Sequence, residues 1–274
     1  MFGYLKKSFN RKLARRITKE YPVTIDTFSL REYGQIKFAN WENPLVEKKI
    51  LNSDNIDFLK KFIKQGDFTI DIGANIGQVS TILSILCGKD GLTIAFDPNP
   101  YVFKILQQNA DLNVDKANLL AYNFAITDVD DEFYYNSSEA SFNNGGISKE
   151  KENRHGKYSL SSKIKGINLE NFLISKFNDK LPKLRLIKID TEGYDKEIIK
   201  SISNILIKYK PIVISECFGK LSQAERFEQF DLLKSKGYSL YYFTDFVADT
   251  KIIPIAKKED MLNWKHFDFY AINE

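Results

Sequence analysis

Thr69-Ile-Asp-Ile-Gly-Ala-Asn-Ile-Gly77 decides the fold. An apolar run ends in Asp71, and Gly73 and Gly77 frame a tight turn into the apolar stretch Val79 to Leu86. A strand, a glycine turn and a helix N-terminus, in that order, hold a nucleotide-like ligand in a doubly wound α/β sheet. About twenty residues on, a second apolar run, Leu92 to Phe96, ends in Asp97, an acid placed to grip a ribose diol. A dinucleotide turn needs G-x-G-x-x-G, whose middle glycine lets a pyrophosphate approach. Asn75 stands at that place here, and Asp71 at the strand end repels a phosphate and attracts a cation. S-adenosylmethionine carries a sulfonium, an ammonium and a ribose diol but no phosphate, so these residues suit it better than NAD.

Working outward, the same grammar repeats. Strands are expected at 68–72, 92–97, 119–125, 184–190, 211–216 and 238–243, and helices at 77–87, 99–110, 193–207 and 222–236. Alternating β and α with short loops means a mostly parallel sheet covered on both faces. Phe267 to Ile272 reads as a last strand at an edge. Ahead of this core, 44–64 reads as a helix with Ser53 or Asp54 as its N-cap, and 23–39 as a hairpin. Residues 1–20 read as a basic amphipathic helix, with Phe2, Leu5, Phe9, Leu13 and Ile17 at helical spacing among Lys6, Lys7, Arg11, Lys12, Arg15 and Arg16. Such a helix lies on an anionic membrane, packs on its own domain or serves self-association into a homo-oligomer. The expected organisation is an N-terminal extension over 1–45 and a catalytic domain over 46–274. Residues 136–160, rich in Asn, Ser, Gly, Lys and Glu around Gly145-Gly146, are long for a connection in a compact domain. They read as a lid over the site or as a disordered insert.

Composition bounds the rest. In 274 residues, 43% hydrophobic and 28% charged, there is enough core to fold without staples. Cys87 and Cys217 sit apart in apolar segments, as buried thiols of a reducing compartment do. No apolar run approaches the roughly 18 residues of a membrane span, and the N-terminus lacks a signal-peptide core. The expected location is the cytoplasm, including the inner face of its membrane if the first helix binds there. A net charge of +4 does not demand nucleic acid as a partner, and His155 and His266 leave little room for a histidine metal cluster.

Open parallel sheets bind ligands outside the carboxyl ends of their strands. There the sequence places Asp71, Gly73, Ala74, Asn75 and Gly77, then Asp97, Pro98 and Asn99, then Asn123, Ala125 and Asp128, then Asp190, Glu192 and Gly193, then Glu216. Converging acids suit a cationic or hydroxyl-rich ligand. Lys188 interrupts an apolar strand, so it either snorkels or pairs with Asp190 or Glu216. Asp190 and Glu192, two apart, face the same way while the strand lasts. One is a candidate general base for a hydroxyl, although Glu192 also reads as a first-turn acid favoured by the helix dipole. Asp190 and Glu216 could also hold a metal, but no metal-ligand spacing supports one.

At these residues the chain resembles the FkbM family of S-adenosylmethionine-dependent methyltransferases. The matching pieces are Asp71-Ile-Gly-Ala-Asn-Ile-Gly77, Ala95-Phe-Asp-Pro-Asn-Pro100, Asn123-Phe-Ala-Ile-Thr-Asp128, Leu186-Ile-Lys-Ile-Asp-Thr-Glu-Gly193 and Pro211-Ile-Val-Ile-Ser-Glu216, in order over about residues 50–243. The resemblance implies the class I methyltransferase fold: Rossmann-like, doubly wound and seven-stranded, with an antiparallel strand at one edge. It also implies O-methylation of a hydroxyl, often on a sugar or natural product. Asp97 replaces the commoner glutamate and Thr191 the usual valine, while 1–45 and 136–160 match no part of the pattern. The leading expectation is a saccharide O-methyltransferase of surface-polysaccharide assembly. The alternatives are a lipid or small natural product as acceptor, and a non-catalytic binding protein on the same fold. No Asn/Asp-Pro-Pro-Tyr/Phe motif points to a nucleic-acid base.

Overall fold

The structure is a computed structural model that describes residues 2–151 and 156–273. Met1, 152–155 with His155, Glu274 and the side chains of residues 2–4 lie outside the description. In chain order, helix α1 (Phe2–Ala14) precedes strands β1 (Val23–Leu30) and β2 (Gly34–Trp41), a separate antiparallel hairpin. Then come α2 (Ser53–Leu59), β3 (Phe68–Ile72), α3 (Gln78–Cys87), β4 (Leu92–Phe96), α4 (Pro100–Leu112) and β5 (Leu119–Tyr122). A small second sheet follows, from β6 (Ala125–Thr127), β7 (Asp131–Ser137), β8 (Gly146–Ser148), β9 (Tyr158–Ser159) and β10 (Ile164–Asn168). The main fold resumes with α5 (Leu169–Phe177), β11 (Leu184–Ile189), α6 (Asp195–Ser201), α7 (Ser203–Tyr209), β12 (Ile212–Cys217), α8 (Gln223–Lys234), β13 (Tyr238–Phe243), β14 (Ile252–Ile255) and β15 (Phe267–Asn273).

The main sheet runs β14-β13-β15-β12-β11-β3-β4-β5. From β12 to β5 every pairing is parallel. Every residue of β3 and of β12 is buried, as strands covered on both faces require. Helices α5 to α8 close one face around Ile187, Ile189 and Val213, while α2 to α4 and the hairpin close the other around Leu186, Ile212 and Ile214. The hairpin shares that second core rather than standing apart. Asn109 of α4 accepts the Ala39 N–H at 2.6 Å and donates to the carbonyls of Ala39 and Ile76, and Asn113 grips Lys37 in the same way.

The structure redraws several expected elements. The final strand is antiparallel, but it lies inside the sheet between β12 and β13 and pairs with both. The antiparallel strand at the edge is β14, which makes eight strands rather than seven. Of the helix expected over 44–64, only α2 forms, and its N-cap is Asn52, whose side chain accepts the Asn55 N–H at 2.9 Å. Ser53 and Asp54 lie inside its first turn. The strand expected over 119–125 splits between two sheets. Ala125 pairs with Gly166 of β10, and Asn123 at the break donates to the Asp97 carbonyl at 2.8 Å. The helix expected over 193–207 starts at Asp195 and breaks at Ile202. Residues 136–160 are not a bare loop, since the end of β7, β8 and β9 lie within them.

Candidate active site

The ends of two neighbouring strands, β3 and β11, meet at the carboxyl edge. Asp71 of β3 stands directly across from Lys188 of β11. Asp71 is fully buried, accepts the Ser80 hydroxyl at 2.5 Å, and lies 3.4 Å from Lys188 Nζ. Lys188 is 5% exposed and reaches Asp190 Oδ2 at 3.0 Å as well. Burial alone would lower the Lys188 pKa, but Asp190 and Asp71 more than reverse it, so the ammonium is firmly charged. Of the two alternatives open for Lys188, the pair forms. It joins Asp71 and Asp190, not Glu216.

The first turn is tight because other parts of the chain press on it. Gly73 has φ +74°, and a Cβ there would lie 1.8 Å from the Asp190 carbonyl oxygen. Glycine is therefore needed for close passage of two backbones, and the Asp190 N–H closes it by donating to Ile72 O at 3.0 Å. Gly77, at φ +90°, caps α3, and a side chain there would strike Leu106. Asn75 takes φ +51°, a left-handed conformation that asparagine tolerates.

Asp97 ties the turn to the next loop. Its Oδ2 accepts the Asn75 N–H and its Oδ1 the Asn99 N–H, each at 2.9 Å. Asn99 caps α4, with half-buried Pro98 before it, and donates to the carbonyl of Phe142 at 2.5 Å. Phe142 stacks on Tyr101 with ring centroids 5.5 Å apart. Phe142 thus anchors the segment 136–160 to the corner held by Asp97 through Asn99.

Beyond β11 the chain leaves strand geometry, so Asp190 and Glu192 do not project as strand neighbours. Glu192 takes φ +53°, stands exposed and lies ahead of α6 rather than in its first turn. Partial desolvation and Asp190 raise its pKa. Glu216, at the end of β12 and opposite Asp268 of β15, meets His266 with Oε1 and Nε2 2.6 Å apart, one proton between them. Its other oxygen is buried without a hydrogen-bond partner among the described residues. Burial first, then Asp190, Asp195, Asp268 and Glu192, pushes Glu216 up to about 9.

Sequence reasoning missed three residues. His266 lies 50 positions from Glu216, so no local spacing announces the pair. Asp195 is buried and accepts the Thr191 N–H and hydroxyl, the Ser215 hydroxyl and the Glu216 N–H, which pins the loop after β11 to β12. Its signal was an acid three residues after Glu192. Arg226 of α8 is buried and donates to the carbonyls of Met261, Trp264 and Lys265, fixing the segment that presents His266. Among the described residues no cluster of three or more His, Cys, Asp or Glu could hold a metal ion.

So many acids at one edge give the fold a pH signature. Burial raises Asp97 to about 7 and Asp195 and Asp268 to about 6, from an ordinary 3.8, and Glu216 to about 9 from 4.5. Between those values the folded chain binds more protons than the unfolded one. The stability these groups contribute is therefore complete below the ordinary values and lost as pH rises through the raised ones. The melting temperature of the ligand-free protein should fall from about pH 5 to about pH 8 in scanning calorimetry. A rise over that interval contradicts the burial of these carboxyls.

Residues 71–240, more than half of the chain, match the family described as the Methyltransferase FkbM domain. The Hexuronic acid methyltransferase AglP of Haloferax volcanii is 27% identical over 165 residues, which is 59% of this chain and 60% of that protein, less than two thirds of its length. Among solved structures, Methyltransferase FkbM from Methylobacillus flagellatus KT aligns over 75% of this chain and 43% of its own, at 14% identity and a TM-score of 0.43. A SAM-dependent O-methyltransferase from Thermotoga maritima aligns over 92% and 78%, at 12% identity and a TM-score of 0.44.

Proposed function

The chain belongs to the FkbM methyltransferase family, and from that premise we propose that it moves a methyl group from S-adenosylmethionine to a hydroxyl of a saccharide. The observation that carries this reading is the acidic carboxyl edge, where Asp190 lies within electrostatic reach of Asp97, Glu192 and Glu216. A relative named for methylating a hexuronic acid supports the choice of a sugar, and with it a place in glycan or polysaccharide assembly.

The residues fit the cofactor. Each Asp97 oxygen holds one backbone N–H and keeps lone-pair capacity for the hydroxyls of a ribose. The turn Gly73-Ala74-Asn75-Ile76-Gly77 is tied to it through Asn75, Pro98 and Asn99 follow it in the chain, and buried Ala125 packs in one apolar cluster with Phe142, whose carbonyl Asn99 holds. Asp190, with a side chain 42% exposed, and Glu192 present negative charge to a cation. S-adenosylmethionine supplies a methyl group on a sulfonium that is already a good leaving group. The protein has to orient a hydroxyl in line and take its proton as the new C–O bond forms. We place that proton on the Glu216–His266 pair, with Glu192 lining the approach and Lys188 keeping Asp190 in position.

Calorimetric titration of S-adenosylmethionine and, separately, of NAD, each with and without EDTA, tests the cofactor. Transfer of labelled methyl groups to a panel of glycans then tests the acceptor. Absence of S-adenosylmethionine binding would falsify the proposal. Binding with methylation confined to lipids or small natural products would keep the enzyme and change its substrate. Asp97→Ala should weaken S-adenosylmethionine binding at least tenfold, about 1.4 kcal/mol, since it removes the ribose acceptor and frees the Asn75 and Asn99 N–H groups. Unchanged affinity in the same titration removes Asp97 from the cofactor site.

A further inference from the structure

Helix α1 stands apart from everything the methyl-transfer reading uses. Ala14, near its end, is buried, but Leu5 is 58% exposed, Phe9 61% and Ile17, just beyond it, 52%. None of these three joins an apolar cluster among the described residues. Folding ordinarily leaves single apolar side chains in water, but here Leu5 and Phe9 stand one helical repeat apart on α1 and Ile17 follows just beyond its end. The same stretch carries Lys6, Lys7, Arg11, Lys12, Arg15, Arg16 and Lys19, with no acid before Glu20. Among the described residues only Arg15 of these has an ion-pair partner, Glu139 at 3.5 Å. A helix that exposes Leu5 and Phe9, and whose Lys6, Lys7, Arg11 and Lys12 have no ion-pair partner among the described residues, is complementary to a surface that offers hydrocarbon beneath negative charge.

We propose that α1 is a docking helix for an anionic lipid surface, with Leu5, Phe9 and Ile17 entering the acyl boundary and the flanking Lys and Arg side chains meeting the headgroups. The place where the helix joins the body gives this surface a consequence for the site. The Ala140 N–H donates to the Arg15 carbonyl at 3.2 Å, and Arg15 pairs with Glu139. Two residues further, the Phe142 carbonyl accepts from Asn99 at the Asp97 corner. A chain docked through α1 therefore holds residues 139–142 next to the lipid. An acceptor carried on a lipid would reach the site along that surface, whereas a free sugar would not need it. No helix of the described residues is long and apolar enough to cross the bilayer, so the contact is peripheral.

Co-sedimentation of the full chain with phosphatidylcholine vesicles, with and without phosphatidylglycerol, decides the matter. The wild type should pellet with the anionic vesicles at least tenfold better than with neutral ones, and lose that advantage in high salt. Leu5→Asp with Phe9→Asp, and separately Lys6→Glu with Lys7→Glu and Arg11→Glu, should each reduce partitioning at least tenfold. Because these side chains are exposed, circular dichroism and the melting temperature should stay at wild-type values. Equal pelleting on both vesicle types, none on either, or no response to the variants overturns the proposal. So does a dimer in sedimentation velocity that the Leu5 and Phe9 variants dissolve, since the occupant is then a second copy. The inference does not depend on methyl transfer: a chain that pellets but binds no S-adenosylmethionine keeps the surface and loses only the reading of the site.

Discussion

Lys188→Met should destabilise the protein by about 3–5 kcal/mol in urea unfolding, the usual cost of stripping one partner from a buried ion pair. Methionine fills much of the same volume, so the loss is electrostatic rather than a cavity. It leaves Asp71, fully buried, with the Ser80 hydroxyl as its remaining contact, and releases Asp190 at the mouth of the site. The pair sits on directly opposed, buried residues of the neighbouring parallel strands β11 and β3. Combining Lys188→Met with Asp71→Asn should recover a substantial part of the loss, because the uncompensated charge is gone. A loss below about 1 kcal/mol for the single variant would show that the ammonium is not what balances Asp71.

Turnover is expected to fall about 10²–10⁴-fold in either Glu216→Gln or His266→Gln, the range over which a positioned proton acceptor usually contributes. S-adenosylmethionine affinity should change little, since neither side chain touches the Asp97 corner. The two losses should not multiply in the double variant, because the pair acts as one group sharing one proton at 2.6 Å. In the wild type, kcat should rise with pH as Glu216, pushed up to about 9 by burial and its acidic neighbours, gives up its proton, and Glu216→Gln should flatten that rise. Single-turnover rates across pH provide the measurement. A His266→Gln enzyme with wild-type kcat and pH profile would move the proton acceptor elsewhere, with Glu192 the next candidate.

Much of this arrangement was legible in the sequence because parallel strands write their ends plainly. Apolar runs that stop at Asp71, Asp97, Asp190 and Glu216 identify both the strands and their carboxyl edge. What escaped depended on neighbours that are distant in sequence. The run Phe267 to Ile272 announces a strand, but nothing in it says that β12 and β13 leave a gap for it. Asn52, Ser53 and Asp54 are all competent caps, and only the reach of Asn52 to the Asn55 N–H selects one. Residues 193–207 carry an unbroken helical pattern, yet tertiary packing starts the helix at Asp195 and parts it at Ile202. Gly73 read only as part of a tight turn, and the structure shows that the Asp190 carbonyl occupies the space a Cβ there would need. His266 carried no local signal at all, because its partner is brought to it by the sheet.

The insertion of β15 between β12 and β13 governs how the sheet can be completed. The ribosome delivers β12 and β13 first, so they emerge with an open lane between them, and the strand that fills it is synthesised after both. Until residues 267–273 emerge, the β12 edge keeps unpaired N–H and C=O groups beside an apolar core. That is a template for pairing with other chains. Co-translational folding can therefore stabilise the β3–β4–β5 half early but must leave the other half waiting. The segment that closes this lane also delivers Asp268 opposite Glu216 and sets His266 beside it. A nascent chain gains its completed sheet and its Glu216–His266 pair in the same event, so partly synthesised protein has neither.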